Sequence, residues 1–469
     1  MGSVSNPVAS TVSAAASVNS VSLPATNSVS DYFPSIINNA LVWLKEDGIT
    51  GTSAVTEWTN SGTGGADYDL DVVVGTGANL KPHPSGSCLL YGASGDYAST
   101  PDSAAASITG DIEIIWKWAP DDNTSNIAIC SKMKNTSNRA YYVFLSSTGE
   151  INLLTSPDGS SALQVIGTST VPNGKTDGST WWGRVTLDVD DGAGNRVYNF
   201  YTSDDDTDVS ADVTWTPLGA TVTASGTTSI VDNDSPVEIN SAFLGTITNL
   251  TGSVSQVKIY NGIGGTLAVD FNAADAGNAG ATSFASSTTG ETWTLNGNSF
   301  IQNTGHTVVH SIGSAGLETT AGQDIAQPYT AFMVCRLSQA SPSTINILLS
   351  YRSDAAKEIN FGSNSSLSDR YYMYNGAGSL AVSGAYDTLP HVATLQANNS
   401  ASNKITVSGS GSGTGVSGTE TWDYGTIFAT NAGTFTAQGY IAQLLVFDYA
   451  LTETEVQQVQ AYLESDFRL

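Results

Sequence analysis

Gly439-Tyr-Ile-Ala-Gln-Leu-Leu-Val-Phe-Asp-Tyr-Ala-Leu-Thr-Glu-Thr-Glu-Val456 is the stretch that decides the fold. Its first half is an apolar strand. Its second half opens an amphipathic helix whose start is unusually well specified: Thr452 with Glu455 three residues on makes a capping box, and Leu451 with Val456 fits the hydrophobic staple. Val456, Val459 and Leu463 recur at helical spacing and predict one buried stripe, with Gln457, Gln458 and Glu464 facing water. The strand has an echo far upstream, because Val254-Ser-Gln-Val-Lys-Ile-Tyr-Asn261 aligns without a gap on Ile441–Asp448. One closing strand ends a domain; two of them predict two domains of one kind.

Internal repetition extends this reading. Ile127-Ala-Ile-Cys-Ser-Lys132 matches Ile345–Arg352, and Arg139-Ala-Tyr-Tyr-Val-Phe144 matches Arg370-Tyr-Tyr-Met-Tyr374. Val185–Val197 lines up without a gap on Ala393–Ile405. The clean alternation of Ile112, Ile114, Trp116 and Trp118 is that of a strand with one face in a core. Short alternating segments separated by turns predict antiparallel sheets packed face to face. The expected organisation is a low-complexity arm over residues 1–33, a first β-sandwich over 34–302, and a second over 303–469 that ends in the helix.

The length of 469 residues accommodates two such units. Only 13% of residues are charged, and the balance of 43 acidic against 16 basic gives a net charge of −27. That field repels phosphate backbones, so nucleic acid is not expected as a partner. No apolar run approaches the roughly 18 residues of a membrane span, and no secretion signal is read at the N-terminus. The arm, with Val4, Val8, Val12, Val18, Val21 and Val29 spread among Ser, Ala and Asn, buries too little to fold alone. It is read either as an anchor that docks on a neighbouring subunit or as a loose tail.

The closing pattern Gly439–Val456, with Tyr462-Leu463 in the helix, resembles the C-terminal end of concanavalin A-like (laminin-G-like) jelly-roll domains. Val257-Lys-Ile-Tyr-Asn-Gly-Ile-Gly-Gly265, followed by Phe271 and Gly290-Glu-Thr-Trp-Thr-Leu-Asn-Gly297, is similar to the versions found in bacteriophage structural proteins. The resemblance covers roughly residues 38–469. It implies an all-β chain of two tandem jelly-roll sandwiches with an extended N-terminal arm and a short C-terminal helix. It also implies a virion component (head decoration, fibre or tail) at the particle surface, homo-oligomeric, held to other virion proteins through the arm, and able to adhere to host polysaccharide. A free extracellular carbohydrate-binding module is the alternative, and a glycoside hydrolase the third reading. The fold specifies architecture better than activity.

Residues that can carry chemistry are few. Glycosidases on this fold place carboxylates alternately along one strand; here Asp111 and Glu113 have no further acidic partner before Asp121, and no catalytic site is expected. The acidic clusters Asp188/Asp190/Asp191, Asp204-Asp-Asp-Thr-Asp208 and Asp232-Asn-Asp234 are read as solvated tips. Calcium is the one ion they invite, although Ala193 stands where a calcium loop needs Gly and no Glu closes the loop. Of His83, His306, His310 and His391, only His306 and His310 are close, and on a strand they lie too far apart for one metal ion, so no metal site is expected. Cys88, Cys130 and Cys335 are read as buried free thiols. Trp181-Trp182 and Tyr371-Tyr372 are the candidate sugar platforms, weighed against core packing, while Trp116 and Trp118 are read as core.

Overall fold

The computed structural model describes residues 34–467 and 469, except 52–53, 76–79, 84–87, 92–94, 248–251, 278–280, 298, 303–305, 313–314, 338–344, 352–358, 365–369, 376–377, 385–388, 399–402, 416–420 and 429–437. The arm, and with it the docking reading, lies outside the described residues.

The chain is all-β with one α-helix among the described residues, and its strands form four antiparallel sheets stacked in pairs. In the first sandwich, sheet I runs Thr216–Pro217, Asn195–Ser203, Trp181–Asp188, Ile112–Pro120, Gly252–Asn261, Cys88–Tyr91 and Phe300–Gln302. Sheet II runs Val165–Thr168, Ile151–Thr155, Asn138–Leu145, Ile127–Asn135, Val237–Ile239, Tyr97–Thr100, Thr292–Asn296 and Ser283–Ala285. Between them lies a core built on Ile112, Ile114, Trp116, Trp118, Trp181, Tyr141 and Trp293. Trp116, Trp118 and Trp181 meet edge to face, with centroids 5.6–6.5 Å apart, the arrangement aromatic quadrupoles favour.

The second sandwich is split in sequence. Its closing strand Gln438–Phe447 pairs on one side with Tyr329–Leu337 and on the other with Val42–Thr50 and Val308–Ile312. In the opposing sheet, Val72–Gly75 pairs with Ala315–Ile325. Val42, Leu44, Val55, Trp58 and Leu70 are buried in one core with Leu317, Met333, Leu395 and Trp422. The strands of residues 42–83 therefore belong to the second unit, and the first unit, from Cys88 to Gln302, is inserted within it. Chain order alone groups this segment with the expected first unit, 34–302, and the strand pairing moves it to the second. Apolar alternation fixes which face of a strand is buried but not which sheet receives it.

The repeat survives in detail. In the first unit Val254 faces Trp118 and Gln256 faces Lys117, with Ser255 bulged out. In the second, Ile441 faces Cys335 and Gln443 faces Val334, with Ala442 bulged at the aligned position. Both closing strands also carry an aligned glycine, Gly252 at the first position of one and Gly439 at the second position of the other, each with φ 152°. A shared bulge and a shared glycine are designed features of a sheet rather than chance similarity. Two of the sequence matches need correction. Arg139–Phe144 lies on the strand next to Ile127–Asn135, whereas Arg370–Tyr374 is two strands removed from Ile345–Tyr351, across Ile359–Asn364. The gapless hairpin match slips by one on its return strand: Leu187 faces Tyr198, but Leu395 faces Ile405. With a side-chain period of two, the slip is what keeps Ile405 and Val407 in the core where Tyr198 and Phe200 sit in the first unit.

The two units are also circularly permuted. Val257 and Ile259 pair with Phe271 and Val269 on the strand that follows, Thr266–Asn272. The aligned Leu444 and Val446 pair instead with Leu44 and Val42, which come from the opposite end of the chain.

Helix α1 (Glu453–Asp466) forms as its sequence requires. Glu455 N–H donates to Thr452 Oγ1 at 3.3 Å and Thr452 N–H donates to Glu455 Oε2 at 2.8 Å, closing the capping box. Leu451, Val456, Val459, Leu463 and Phe467 are buried against Phe332, Val334, Leu445 and Phe447, on the outer face of the closing-strand sheet.

Candidate functional site

The side chains that sequence proposed as sugar platforms are buried. Trp181 lies in the first core, its Nε1 donating to Asn123 Oδ1 at 3.1 Å. Trp182 faces the other way yet is equally covered: its Nε1 donates to the Thr207 carbonyl at 3.1 Å, and Lys117 sits 5.7 Å from its ring. Alternation correctly placed only one of the pair in the core, but it did not anticipate the loop over the second. Tyr371 is stacked on Phe361 inside the second sandwich, and Tyr372 is buried too. Trp116 and Trp118 are core residues.

The polar candidates are engaged locally. Glu113 holds Arg184 at 2.8 Å and accepts the Gly264 N–H at 2.7 Å, while Asp111 accepts the Val189 N–H at 2.9 Å. Asp191 accepts from Ala193 and Asn195, and these bonds, Asn195 foremost, hold its carboxyl below the usual range. Asp204 and Asp208 are paired with Lys175 and Lys117, at 2.6 and 2.7 Å. Cys130 and Cys335 are buried free thiols, pushed up by burial; the side chains of Cys88 and His83 are outside the described residues. His310 is buried beside Arg336, and its pKa is pushed down to about 3, first by burial and then by that positive charge. His391 is buried against Tyr371.

The outer face of sheet II brings together a surface that the sequence reading did not single out. One row of facing residues crosses it: Ile166, Leu154, Tyr142, Ser131, Glu238 and Ser99. In the next row, Thr168, Asn152 and Phe144 stand side by side. Tyr141, Val143 and Leu145 point into the core, which turns Tyr142 and Phe144 outward on the same strand. Their rings stack with centroids 4.7 Å apart and planes 18° from parallel, and both remain partly exposed. Asn152 Oδ1 accepts the Thr168 hydroxyl at 2.6 Å beside them. Ile166, 46% exposed, and Leu163, 57% exposed, lie on the adjoining edge strand and its approach.

A loop of unusual backbone borders this face. Asn240, Phe243 and Leu244 all have φ near +60°, a region uncommon for such side chains. Glu238 holds the loop down by accepting the N–H groups of Leu244 at 2.7 Å and Gly245 at 3.2 Å. Burial raises the pKa of its carboxyl and those N–H bonds oppose the rise. Arg139 lies 5.1 Å from the Phe243 ring and donates to Gln164 at 2.7 Å, tying the loop to the far side of the aromatic pair. The alternation Tyr141-Tyr-Val-Phe-Leu145 was the available signal, since two aromatics on the solvent side of a strand are visible once the core side is known.

A second polar cluster lies in the second unit, beside the end of α1. His306 bridges Glu46, at 3.1 Å from Nδ1, and Asp466, at 3.4 Å from Nε2, with its ring against Phe467. It lines a cleft of ≈ 180 Å³ with Trp43, Lys45, Gln443 and Tyr462. The hydrogen bond to Asp466 raises the histidine pKa, with Glu46 adding to it and burial opposing. Among the described residues, no group of three or more His, Cys, Asp or Glu side chains is placed to hold a metal ion.

Fold and surface together define an all-β protein of two jelly-roll sandwiches with a short C-terminal helix, the first carrying an aromatic outer face. No protein-family model and no curated protein sequence matches the chain. Among solved structures, it is similar to domains LG4-5 of the mouse laminin alpha1 chain, at 11% identity over 79% of this chain and 94% of that one, with a TM-score of 0.27. It is also similar to a putative carbohydrate binding protein from Bacteroides ovatus, at 13% identity over 47% and 60% of the two chains and a TM-score of 0.31. A third likeness is to the CBM40 of the Ruminococcus gnavus IT-sialidase bound to alpha2,6 sialyllactose, at 13% identity over 38% and 92% and a TM-score of 0.27. TM-scores this low do not make sites equivalent, and the fold assignment stands on the sheet pairing itself.

Proposed function

We propose that the protein is a glycan-binding structural component of a virion surface, a phage head decoration, fibre or tail protein, and that it adheres through the outer face of sheet II. The observation that carries the binding role is the partly exposed Tyr142–Phe144 stack beside the Asn152–Thr168 hydrogen bond. A flat aromatic surface with a few fixed polar groups at its edge is what the apolar face and hydroxyls of a sugar ring require. A net charge of −27 favours neutral glycans over acidic ones at long range. The virion role is supported by the sequence resemblance around Val257–Gly297 and by the arm, whose proposed partners are other virion proteins and further copies of this chain. The free module is the alternative. Binding rather than hydrolysis is favoured because Asp111 and Glu113 are committed to structural hydrogen bonds and ion pairing.

Two measurements test this. On an array of neutral and acidic host polysaccharides, the intact protein should bind saturably, and Tyr142→Ala with Phe144→Ala should weaken binding at least tenfold while the fold is kept. Absence of binding across the array, or binding indifferent to both changes, overturns the adhesive role. For the virion role, deleting residues 1–33 should abolish incorporation into particles; undiminished incorporation overturns docking through the arm.

A further inference from the structure

Lys132, on Ile127–Asn135, has a side chain wholly without solvent exposure. A lysine buried at the end of a sandwich core is uncommon and calls for a reason. Its Nζ lies 2.7 Å from Asp102 Oδ1. It also contacts Asn233 twice, at the backbone carbonyl and, at 3.4 Å, at side-chain Oδ1. That same Oδ1 accepts the Ser235 N–H at 3.0 Å. The amide nitrogen of Asn233, Nδ2, is buried without a hydrogen-bond partner. The wall beside the cluster is the buried ring of Tyr141, whose hydroxyl pKa is raised well up, first by burial and then by the thiol of Cys130 and the carboxylate of Asp102.

These are the parts of an acyl transfer: an amine, an amide carbonyl, an N–H on the carbonyl oxygen, and a carboxylate to move protons. We propose that Lys132 and Asn233 form an intramolecular isopeptide bond. Asp102 takes a proton from Nζ, and the free amine attacks Cγ of Asn233. Negative charge gathers on Oδ1, where the Ser235 N–H stabilises it. Asp102 returns the proton to Nδ2 as the Cγ–Nδ2 bond breaks and ammonia leaves; Asp102 then takes the second proton from Nζ and passes it to the ammonia, so that a neutral amide and ammonium result. One C–N bond forms, one breaks, and no oxidant or further reactant is needed. The segment before Val237–Ile239 is held in place for the reaction, because Val231 N–H donates to the Ser156 carbonyl at 2.9 Å and Lys134 pairs with Asp234. The bond fastens Ile127–Asn135 to the approach of its sheet neighbour Val237–Ile239. The acidic run Asp232-Asn-Asp234 then supplies an electrophile rather than a cation site.

Intact-mass spectrometry of the folded full chain tests this directly. The expected mass is lower than the sequence mass by about 17 Da, the ammonia released on amide exchange. Tryptic digestion should give residues 118–134 joined to 197–258, uncut after Lys132. Asn233→Ala and Lys132→Met should restore the full mass, and Asp102→Asn should do so with both bonding partners still present. Folded wild-type protein at its full sequence mass means an ordinary ion pair and overturns the proposal. A deficit that persists in Asn233→Ala, or one of about 18 Da from water loss to Asp102, overturns the assignment to Asn233.

Discussion

Cutting the chain at residue 83 separates the nested arrangement from a serial one. A chain of residues 84–469 keeps every strand of the first sandwich but removes Val42, Leu44, Val55, Trp58 and Leu70 from the second core. Fully burying a large apolar side chain contributes about 1.5–3 kcal/mol, so the five together represent about 8–15 kcal/mol. Whole domains are stable by only about 5–15 kcal/mol. The loss also strips the closing strand of its partner along Leu444–Val446, leaving backbone groups unpaired on a strand at the centre of its sheet. The expected calorimetric result is two unfolding transitions for residues 34–469 and one for 84–469. Limited proteolysis of the shorter chain should leave a resistant fragment close to 88–302. If the boundary lay at 302/303, removing 34–83 would instead destroy the first sandwich and spare 303–469. Two undiminished transitions, or a resistant C-terminal fragment, refute the nesting argument.

His306 predicts a pH dependence. Its folded pKa is raised above 6.5 by Asp466 and Glu46, so its contribution is complete below the unfolded value and is lost as pH rises through the folded one. Asp466 is affected first by burial, which would raise it, but His306 outweighs that and lowers it below 3.8, so its share is lost only as pH falls through that lowered value. Melting of the second transition should therefore weaken from mildly acidic to alkaline pH, and His306→Phe should remove that slope; an unchanged slope refutes the assignment. Thr452→Ala removes the capping box and should cost about 1 kcal/mol in urea unfolding, in the second transition alone. Gly439→Ala places a Cβ 2.0 Å from the Arg336 carbonyl at φ 152°, and should cost more than about 1 kcal/mol in that same transition.

The duplicated fold was legible because its signals are local. A capping box, an amphipathic stripe and a gapless closing strand each lie within a few residues of chain. Partnership was not legible. Leu41-Val-Trp-Leu44 reads as a strand anywhere, and only the register against Leu444–Val446 says which sandwich owns it. The aromatic candidates failed for a related reason. Trp182 does turn away from the core, as alternation requires, but residues 207 and 213 close over it from a loop, where the apolar residues around Val213 read as a strand. Tyr142 and Phe144 went unremarked because an outward aromatic on a strand has the same sequence signature whether a loop covers it or not.

The same contrast explains why, among the described residues, only the second unit has an α-helix. At aligned positions on the outer face of the closing-strand sheets, the second unit has Phe332, Val334, Leu445 and Phe447. The first has Ile115, Lys117, Lys258 and Tyr260. Four large apolar groups on an open sheet face form a patch that water disfavours, and the stripe Val456, Val459 and Leu463 removes it. Two lysines change what is needed. Lys117 pairs with Asp208 and Lys258 with Asp270, and the apolar remainder, Ile115 and Trp182, is small enough to be covered by Val213 and Trp215 from the acidic loop. The Asp204–Asp208 run is thus the first unit's counterpart of α1. Each covers the same face with the chemistry that face presents, and the C-terminal helix completes the second sandwich rather than the chain as a whole.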